Sequence, residues 1–266
     1  MKPYLSFPVL FAFFGLTCLS ISADVSIDFT KAQDYEKGVL SQHEDWTSFD
    51  ASKSDPDTFT VEPAGSGVLR IDPTSTGFQV ADFVGKGSEL SKNCYTGEMS
   101  LLLKYTPGTN ATVSYGVPVL PQIQFGNVEA GREGLSFGIR QVMGTNTFNI
   151  IVASTLNGDV EAAFGKGFTG EAIGLSVDAE EKWTDGESDM LSLTFALKNE
   201  GENQWVVSST LTNTSTSEVI TQVEKTFTDT DGSFGENNQR VRIIPANMNT
   251  QDVAVLLDKI EVSENP

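Results

Sequence analysis

The sequence predicts an all-β protein, a two-sheet antiparallel β-sandwich of the jelly-roll type. Short stretches in which apolar and polar residues alternate recur along the chain. Gly, Asn and Asp, which favour tight turns, separate these stretches. No segment of the sequence keeps a 3.6-residue apolar period over several turns. About a dozen strands follow from this pattern, which is enough for two stacked antiparallel sheets.

The N-terminal segment predicts export. Lys2 is followed by an apolar run over residues 9–16 and then by small and polar residues up to Ala23, which is the order of a secretory signal peptide. The apolar run is shorter than the roughly 20 residues that a transmembrane helix needs. We therefore expect a signal peptide over 1–23 and a single β-sandwich domain over 24–266, secreted, periplasmic or at the cell surface.

The strand candidates are short and regularly spaced. In chain order they are 25–29, 68–71, 78–83, 99–105, 122–125, 135–141, 148–153, 191–198, 205–212, 218–227, 240–244 and 253–262. The two clearest are 99–105 and 191–198, where every second residue is apolar. Turn residues at Asn157-Gly158 and Asp231-Gly232 tolerate the left-handed backbone that hairpins require. The polar stretch 41–57 is predicted to be a long loop.

The last strand candidate carries a break in its pattern. Val255 and Leu257 set one parity, whereas Ile260 and Val262 set the other. This predicts either a β-bulge near Asp258 or an Asp258 side chain that points inward.

The charge of the chain excludes some partners. It has 36 acidic and 17 basic residues, a net charge of −19, so nucleic acid and anionic membrane surfaces are unfavourable partners. Removal of residues 1–23 would take away Cys18 and leave Cys94 as the one cysteine. An intrachain disulfide is then impossible, and a large β core must supply the stability. The sequence leaves the oligomeric state open.

Four segments resemble one family. They are 35–40 (YEKGVL), Asp45-Trp46, 59–67 (FTVEPAGSG) and 256–262 (LLDKIEV). Together they resemble secreted bacterial domains of the concanavalin A-like lectin/glucanase jelly roll, of the LamG-like kind. The resemblance implies two curved sheets, a concave face that in many members binds carbohydrate, and often a structural calcium. The E-x-D-x-x-E motif of the laminarinase-type glycosidases is absent from the sequence, which disfavours catalysis by that mechanism.

Aromatic side chains are candidates for sugar stacking, which needs an exposed ring beside hydrogen-bonding groups. Trp46 and Trp183 lie in polar contexts and Tyr115 lies beside a glycine, so these three are predicted to be exposed. Trp205 opens an alternating strand and is predicted to lie in the core.

Three arginines are candidates for binding acidic sugars. Arg240 and Arg242 flank one residue and so share a sheet face, and Arg140 ends another strand candidate. Guanidinium groups bind carboxylates and sulfates through paired hydrogen bonds. The alternative is that they form ion pairs with the abundant acids.

The sequence contains few candidates for metal-binding or catalytic residues. His43 is the only histidine, which excludes histidine metal clusters, and it lacks an accompanying G-x-S-x-G motif. Asp258 is a candidate calcium ligand. The acidic segment 229–236 is out of register with an EF-hand and is interpreted as a turn. Any glycosidase carboxylate pair would come from acids such as Glu98, Glu133 and Glu161, and Cys94 is interpreted as structural.

These observations favour a secreted, non-catalytic β-sandwich module that binds a polysaccharide or has a structural role at the cell surface. The alternative is a glycoside hydrolase or polysaccharide lyase that acts on an extracellular polysaccharide.

Overall fold

The computed structural model of the protein describes most of the chain after the N-terminal segment. The described residues are 25–30, 38–40, 43–48, 59–61, 67–71, 81–85, 89–90, 94–105, 119–127, 134–141, 147–158, 160–176, 186–232, 234, 239–244 and 253–264. The predicted signal peptide, 1–23, lies outside them. Within the described part of the chain, no helix has both the length and the apolar character that crossing a bilayer would require.

The described residues form eighteen strands. They are β1 Val25–Ile27, β2 Gly38–Val39, β3 Trp46–Ser48, β4 Phe59–Val61, β5 Leu69–Ile71, β6 Ala81–Phe83, β7 Cys94–Tyr105, β8 Val119–Asn127, β9 Gly134–Gln141, β10 Thr147–Ser154, β11 Glu161–Phe164, β12 Phe168–Thr169, β13 Gly186–Glu187, β14 Leu191–Gly201, β15 Gln204–Asn213, β16 Glu218–Thr228, β17 Gln239–Ile244 and β18 Val253–Glu264. The described residues also include two short 3₁₀ helices, Leu156–Gly158 and Gly170–Ile173.

The strands form two antiparallel sheets. Sheet A has the order β16-β15-β14-β7-β18-β5-β4-β2, with β1 also paired to β18 and β13 to β7. Sheet B has the order β11-β10-β9-β8-β17-β6-β3, with β12 also paired to β10. The central neighbours β7 and β18, and β8 and β17, are far apart in sequence, so the chain crosses repeatedly between the sheets. The predicted all-β, two-sheet antiparallel jelly-roll sandwich is confirmed.

Residue alternation determines which face of each strand enters the core. In β15 the side chains of Trp205, Val207 and Leu211 are buried, and Thr210 and Thr212 on the opposite face are partly exposed. The same period of two runs through β7 and β14. Burial of these apolar side chains between the sheets is the main stabilising contribution to the sandwich. The prediction that Trp205 is a core residue is confirmed.

Contacts across the sandwich fix the two sheets against each other. The rings of Phe137 in sheet B and Phe195 in sheet A stack with their centroids 4.8 Å apart. The Tyr95 hydroxyl in sheet A donates to the side-chain oxygen of Gln239 in sheet B. Gly97 permits the close packing beside Phe195, because a Cβ atom at this position would lie 2.5 Å from the ring.

The parity break in β18 is a β-bulge, as one of the two sequence alternatives predicted. The pairing of β18 with β7 shifts register between Leu257 and Lys259. Before the bulge β18 pairs with β5, and after it the same edge pairs with β1. Asp258 therefore lies at the junction of three strands.

One prediction about the fold needs correction. The stretch 41–57 was expected to be a long loop, but its middle forms β3, which pairs with β6 through Trp46 opposite Phe83. The sequence did not predict this strand, because the residues around Trp46 are polar and a strand of three residues is too short to show alternation.

Candidate functional site

The outer face of sheet B, which points away from the core, is buried over much of its area. Asp82, Ser136, Ile151, Ala153 and Arg242 alternate with core residues along their strands, yet all five are buried. An outer sheet face normally has polar side chains in contact with water. We call this surface the recessed face. Its described members are Asp82, Ser136, Gly138, Arg140, Asn149, Ile151, Ala153, Ala162, Phe164, Arg240 and Arg242.

Small side chains lie on the β9, β10 and β11 part of the recessed face, whereas the neighbouring strand β8 carries Gln122 and Gln124 at the positions beside Gly138 and Ser136. Ser136 is the register partner of Ala153, which is in turn the partner of Ala162. One row further along, Gly138 is the partner of Ile151. Ser136, Gly138, Ala153 and Ala162 carry few atoms beyond the backbone, so the face is low at these four positions.

On one side, Arg242 is held by a buried carboxylate. Its Nε donates to Asp82 Oδ1 at 2.6 Å and its Nη2 donates to Asp82 Oδ2 at 3.1 Å. Arg242 is 3% exposed and Asp82 is 5% exposed, and the two are register partners in β17 and β6. This is the two-pronged geometry that stabilises arginine–carboxylate pairs. The sequence left open whether Arg242 binds acidic sugars or forms an ion pair with an acidic residue. Arg242 forms the ion pair.

Arg240 lies on the same face as Arg242, as predicted, because Val241 between them points into the core. The Arg240 Nη2 atom is 3.5 Å from Oε1 of Glu89. Its Nε atom is buried and has no hydrogen-bond partner. Arg240 is thus neutralised by an exposed acid and keeps one unused donor.

On the other side, Arg140, Asn149 and Phe164 form a group that we call the Arg140 cluster. The Arg140 guanidinium carbon lies 4.7 Å from the centroid of the Phe164 ring, within the range of a cation–π interaction. Asn149 is the register partner of Arg140. Arg140 Nε and Asn149 Oδ1 are both buried, and neither has a hydrogen-bond partner in the part of the chain that the structure describes.

Phe164 provides an aromatic surface at the margin of this cluster. It ends β11, opposite Ile151 of β10, and is 46% exposed. Phe164 was not among the aromatic residues predicted from the sequence. A sequence signal existed, since Phe164 is a lone aromatic before the glycine-bounded segment 165–167, but the sequence Glu-Ala-Ala-Phe has low β propensity.

Of the three aromatic residues that were predicted to be exposed for sugar stacking, Trp46 is the one that the structure describes. Trp46 was expected to be exposed, but it is 4% exposed and packs between Phe29 and Phe83, with ring centroids 6.3 and 5.4 Å away. Its burial comes from residues distant in the chain and removes it as a stacking surface. Trp183 and Tyr115 lie outside the described residues.

The surroundings of Asp258, the predicted calcium ligand, are acidic but provide few oxygen ligands. Burial raises the pKa of Asp258, with Lys259 opposing the shift and Asp28 adding to it. Asp28 Oδ1 accepts hydrogen bonds from the backbone N–H and hydroxyl of Thr30. Calcium requires six to eight oxygen ligands, and no group of three or more potential metal-binding side chains occurs among the residues that the structure describes. These residues do not by themselves fit calcium.

The acidic segment 229–236 forms a turn where it is described. Asp229 is buried, and its Oδ2 accepts a hydrogen bond from the Phe234 backbone N–H at 2.9 Å. Gly232 has a φ of 75°, which explains the glycine at this position.

The candidate catalytic groups are dispersed. Glu98 lies on sheet A and accepts a hydrogen bond from Ser192, whereas Glu161 lies on β11 and is paired with Lys225 at 2.5 Å. Glu133 lies outside the described residues. His43 Nδ1 accepts a hydrogen bond from the Asp45 backbone N–H in the turn before β3, and Cys94 is a free thiol at the start of β7. The structure does not bring Glu98 and Glu161 together.

Comparison with known proteins gives similarity to solved structures only. No family model and no curated protein sequence matches the chain. Lectin II from Ulex europaeus has a TM-score of 0.49 at 10% identity, covering 92% of this chain and 100% of the lectin. The PL-14 alginate lyase from Aplysia kurodai has a TM-score of 0.48 at 8% identity, with coverage of 92% and 100%. The alginate lyase from Klebsiella pneumoniae has a TM-score of 0.43 at 14% identity, with coverage of 79% and 85%. At such identities and scores no ligand or reaction is transferred to this chain.

Proposed function

We propose that the protein is a non-catalytic module that binds a polysaccharide along the recessed face of sheet B. One observation carries this proposal: a partly exposed aromatic ring, Phe164, lies beside buried polar atoms that no group among the described residues satisfies. Buried donors and acceptors are normally paired. A bound sugar would supply partners to Arg140 Nε and Asn149 Oδ1 while its apolar ring face packs on Phe164.

The dimensions of the face suit an extended ligand. Arg242 shares a register row with Ser136, and Arg140 lies four residues further along β9 and two strands away. Strand spacing and rise place the two arginines about 16 Å apart along the diagonal of the face. A chain of sugar units can extend over this distance. Export of the protein, predicted from residues 1–23, is part of the proposal, because it would bring the face to extracellular polymers.

The test is a binding measurement with a matched pair of variants. Affinity gel electrophoresis of wild type against neutral, sulfated and uronate-bearing polysaccharides should show retardation by at least one polymer. Phe164→Ala should weaken that binding by about tenfold, since it removes the stacking surface. Val219→Ala is the control, because Val219 is also exposed, at 57%, but lies on β16 of sheet A.

The outcomes separate binding from other roles. If no polymer retards wild type, or if both variants weaken binding equally, the recessed face is not the binding site. A reducing-end assay and the ultraviolet absorbance of unsaturated products on the same polymers would reveal the hydrolase or lyase alternative. We expect neither signal, because Asp82, the described carboxylate on the recessed face, is committed to Arg242.

A further inference from the structure

The three arginines of the recessed face differ in how their charge is balanced. Arg242 is neutralised by Asp82 and Arg240 by Glu89. Arg140 makes no ion pair with any residue that the structure describes. The described charges of the face therefore leave one positive charge, in a protein whose net charge is −19.

The stacking partner of Arg140 leaves its hydrogen-bond donors available. A cation–π contact uses none of the five N–H donors of a guanidinium group as a hydrogen-bond donor. Phe164 thus holds the Arg140 side chain in place without using a donor. The buried Nε has no acceptor.

Asn149 adds a second requirement for the chemical groups of a ligand at this position. Its Oδ1 atom is an acceptor that is buried and unpaired, one strand away from Arg140 and directly opposite it. Cross-strand neighbours have Cβ atoms about 5 Å apart. The ligand group at this point must therefore present an anion or acceptor to Arg140 and a donor to Asn149.

We propose that the polysaccharide is acidic and that the Arg140 cluster is the subsite for its charged sugar. This inference rests on the proposed function and specifies its ligand class. A carboxylate or sulfate group takes the Arg140 donors in a charge-assisted pair, a neighbouring hydroxyl donates to Asn149 Oδ1, and the sugar ring contacts Phe164. Arg240 and Arg242, already paired, shape the other end of the face and do not select for charge.

The experiment compares ligands that differ in charge alone. Isothermal titration calorimetry is performed with polygalacturonate and with the same polymer after full methyl esterification, and a sulfated dextran is compared with dextran. Wild type should bind at least one acidic polymer about 10- to 100-fold more tightly than its uncharged counterpart. Arg140→Gln should reduce binding of the acidic polymer to the level of the uncharged one, and Arg140→Lys should retain part of the preference.

Salt dependence gives a second readout. The affinity of wild type for the acidic polymer should fall as sodium chloride is added, and Arg140→Gln should remove most of this dependence. Lys198→Gln is the matched control, since it removes an exposed cation from sheet A and should change neither the preference nor the salt dependence. The thermal midpoint of each variant verifies folding.

The results distinguish this inference from the proposed function. If wild type binds the charged and uncharged polymers equally, or if Arg140→Gln weakens both equally, the acidic subsite is wrong and polysaccharide binding stands. If no polymer binds, the proposed function fails, and the subsite fails with it. Preference for the uronate or for the sulfated polymer identifies which acid the cluster takes.

Discussion

The two outer faces of the sandwich have opposite characters. On sheet A, the outward side chains of Thr194, Lys198, Gln222 and Glu224 are exposed. On sheet B, the outward side chains of the recessed face are largely buried, although they too point away from the core. Both sheets alternate between core-facing and outward side chains in the same way, so this alternation does not account for the difference in burial between the two outer faces.

Charge pairs illustrate the contrast. Lys198 and Glu200 on sheet A are 3.3 Å apart and both are more than half exposed, so water already solvates them and their pairing adds little stability. Arg242 and Asp82 on sheet B are almost fully buried, and each would be left uncompensated without the other. The pair on sheet B has therefore lost the solvation that the pair on sheet A keeps.

Unsatisfied polar atoms follow the same division. Among the described residues, five buried side-chain atoms lack a hydrogen-bond partner, and three of them belong to Arg140, Asn149 and Arg240 of the recessed face. The other two, in Trp205 and Thr221, belong to core-facing positions. The outer face of sheet A contributes none of the five.

The largest effect should come from breaking the buried pair. Asp82→Ala leaves the Arg242 charge buried and unpaired, and we expect a loss of about 3–5 kcal/mol in the free energy of unfolding. Glu200→Ala, which breaks the exposed pair on sheet A, should cost less than about 1 kcal/mol. Urea denaturation of both variants measures the difference. Equal losses would mean that the two outer faces are not energetically distinct.

A volume change should have an intermediate effect. Ala153 is buried on the floor of the recessed face, and Ala196 is half-buried on the outer face of sheet A. Ala153→Leu should destabilise the protein by about 1–3 kcal/mol through overpacking and should also abolish polysaccharide binding. Ala196→Leu should change stability by no more than about 0.5 kcal/mol and leave binding intact. If Ala153→Leu were tolerated as well as Ala196→Leu, the floor would not be closely packed.

The sequence was informative where a strand is long and one of its faces is apolar. The strands β7, β14 and β15 cover the predicted segments 99–105, 191–198 and 205–212, because seven or eight residues are enough to show a period of two clearly. Short strands such as β2, β12 and β13 were not predicted. Each consists of two residues, and pairing with neighbours, rather than intrinsic preference, makes them strands.

The candidate site was only partly predictable. Arg140, Arg240 and Arg242 were identified from their residue type and spacing, and their shared sheet follows from the strands that carry them. The pairing of Arg242 with Asp82 joins positions 160 residues apart, and the burial of Trp46 by Phe29 and Phe83 depends on tertiary packing. Sequence context says which side chains alternate on a strand, but not which distant strand lies beside it.

The smallest effect is expected at Asp258, on the edge where β1 and β5 meet β18. Because burial raises the pKa of Asp258 in the folded protein, the folded state binds this proton more tightly than the unfolded chain does. Stability from this group is therefore present below the ordinary aspartate pKa and is lost as pH rises through the raised value. Asp258→Asn removes the charge and should stabilise the protein at neutral pH by less than about 1 kcal/mol, since the group is largely solvent-screened.

This contribution is measured by thermal unfolding of wild type and Asp258→Asn between pH 3 and pH 8. The range brackets the ordinary aspartate pKa of about 3.9. The two curves of stability against pH should converge at the acidic end. Repeating the neutral measurement with calcium chloride and with a chelator tests the predicted calcium site. If calcium raises the wild-type midpoint and Asp258→Asn abolishes the gain, Asp258 belongs to a calcium site. If calcium changes the thermal midpoint of neither protein, Asp258 is an unfavourable charge at a strand junction.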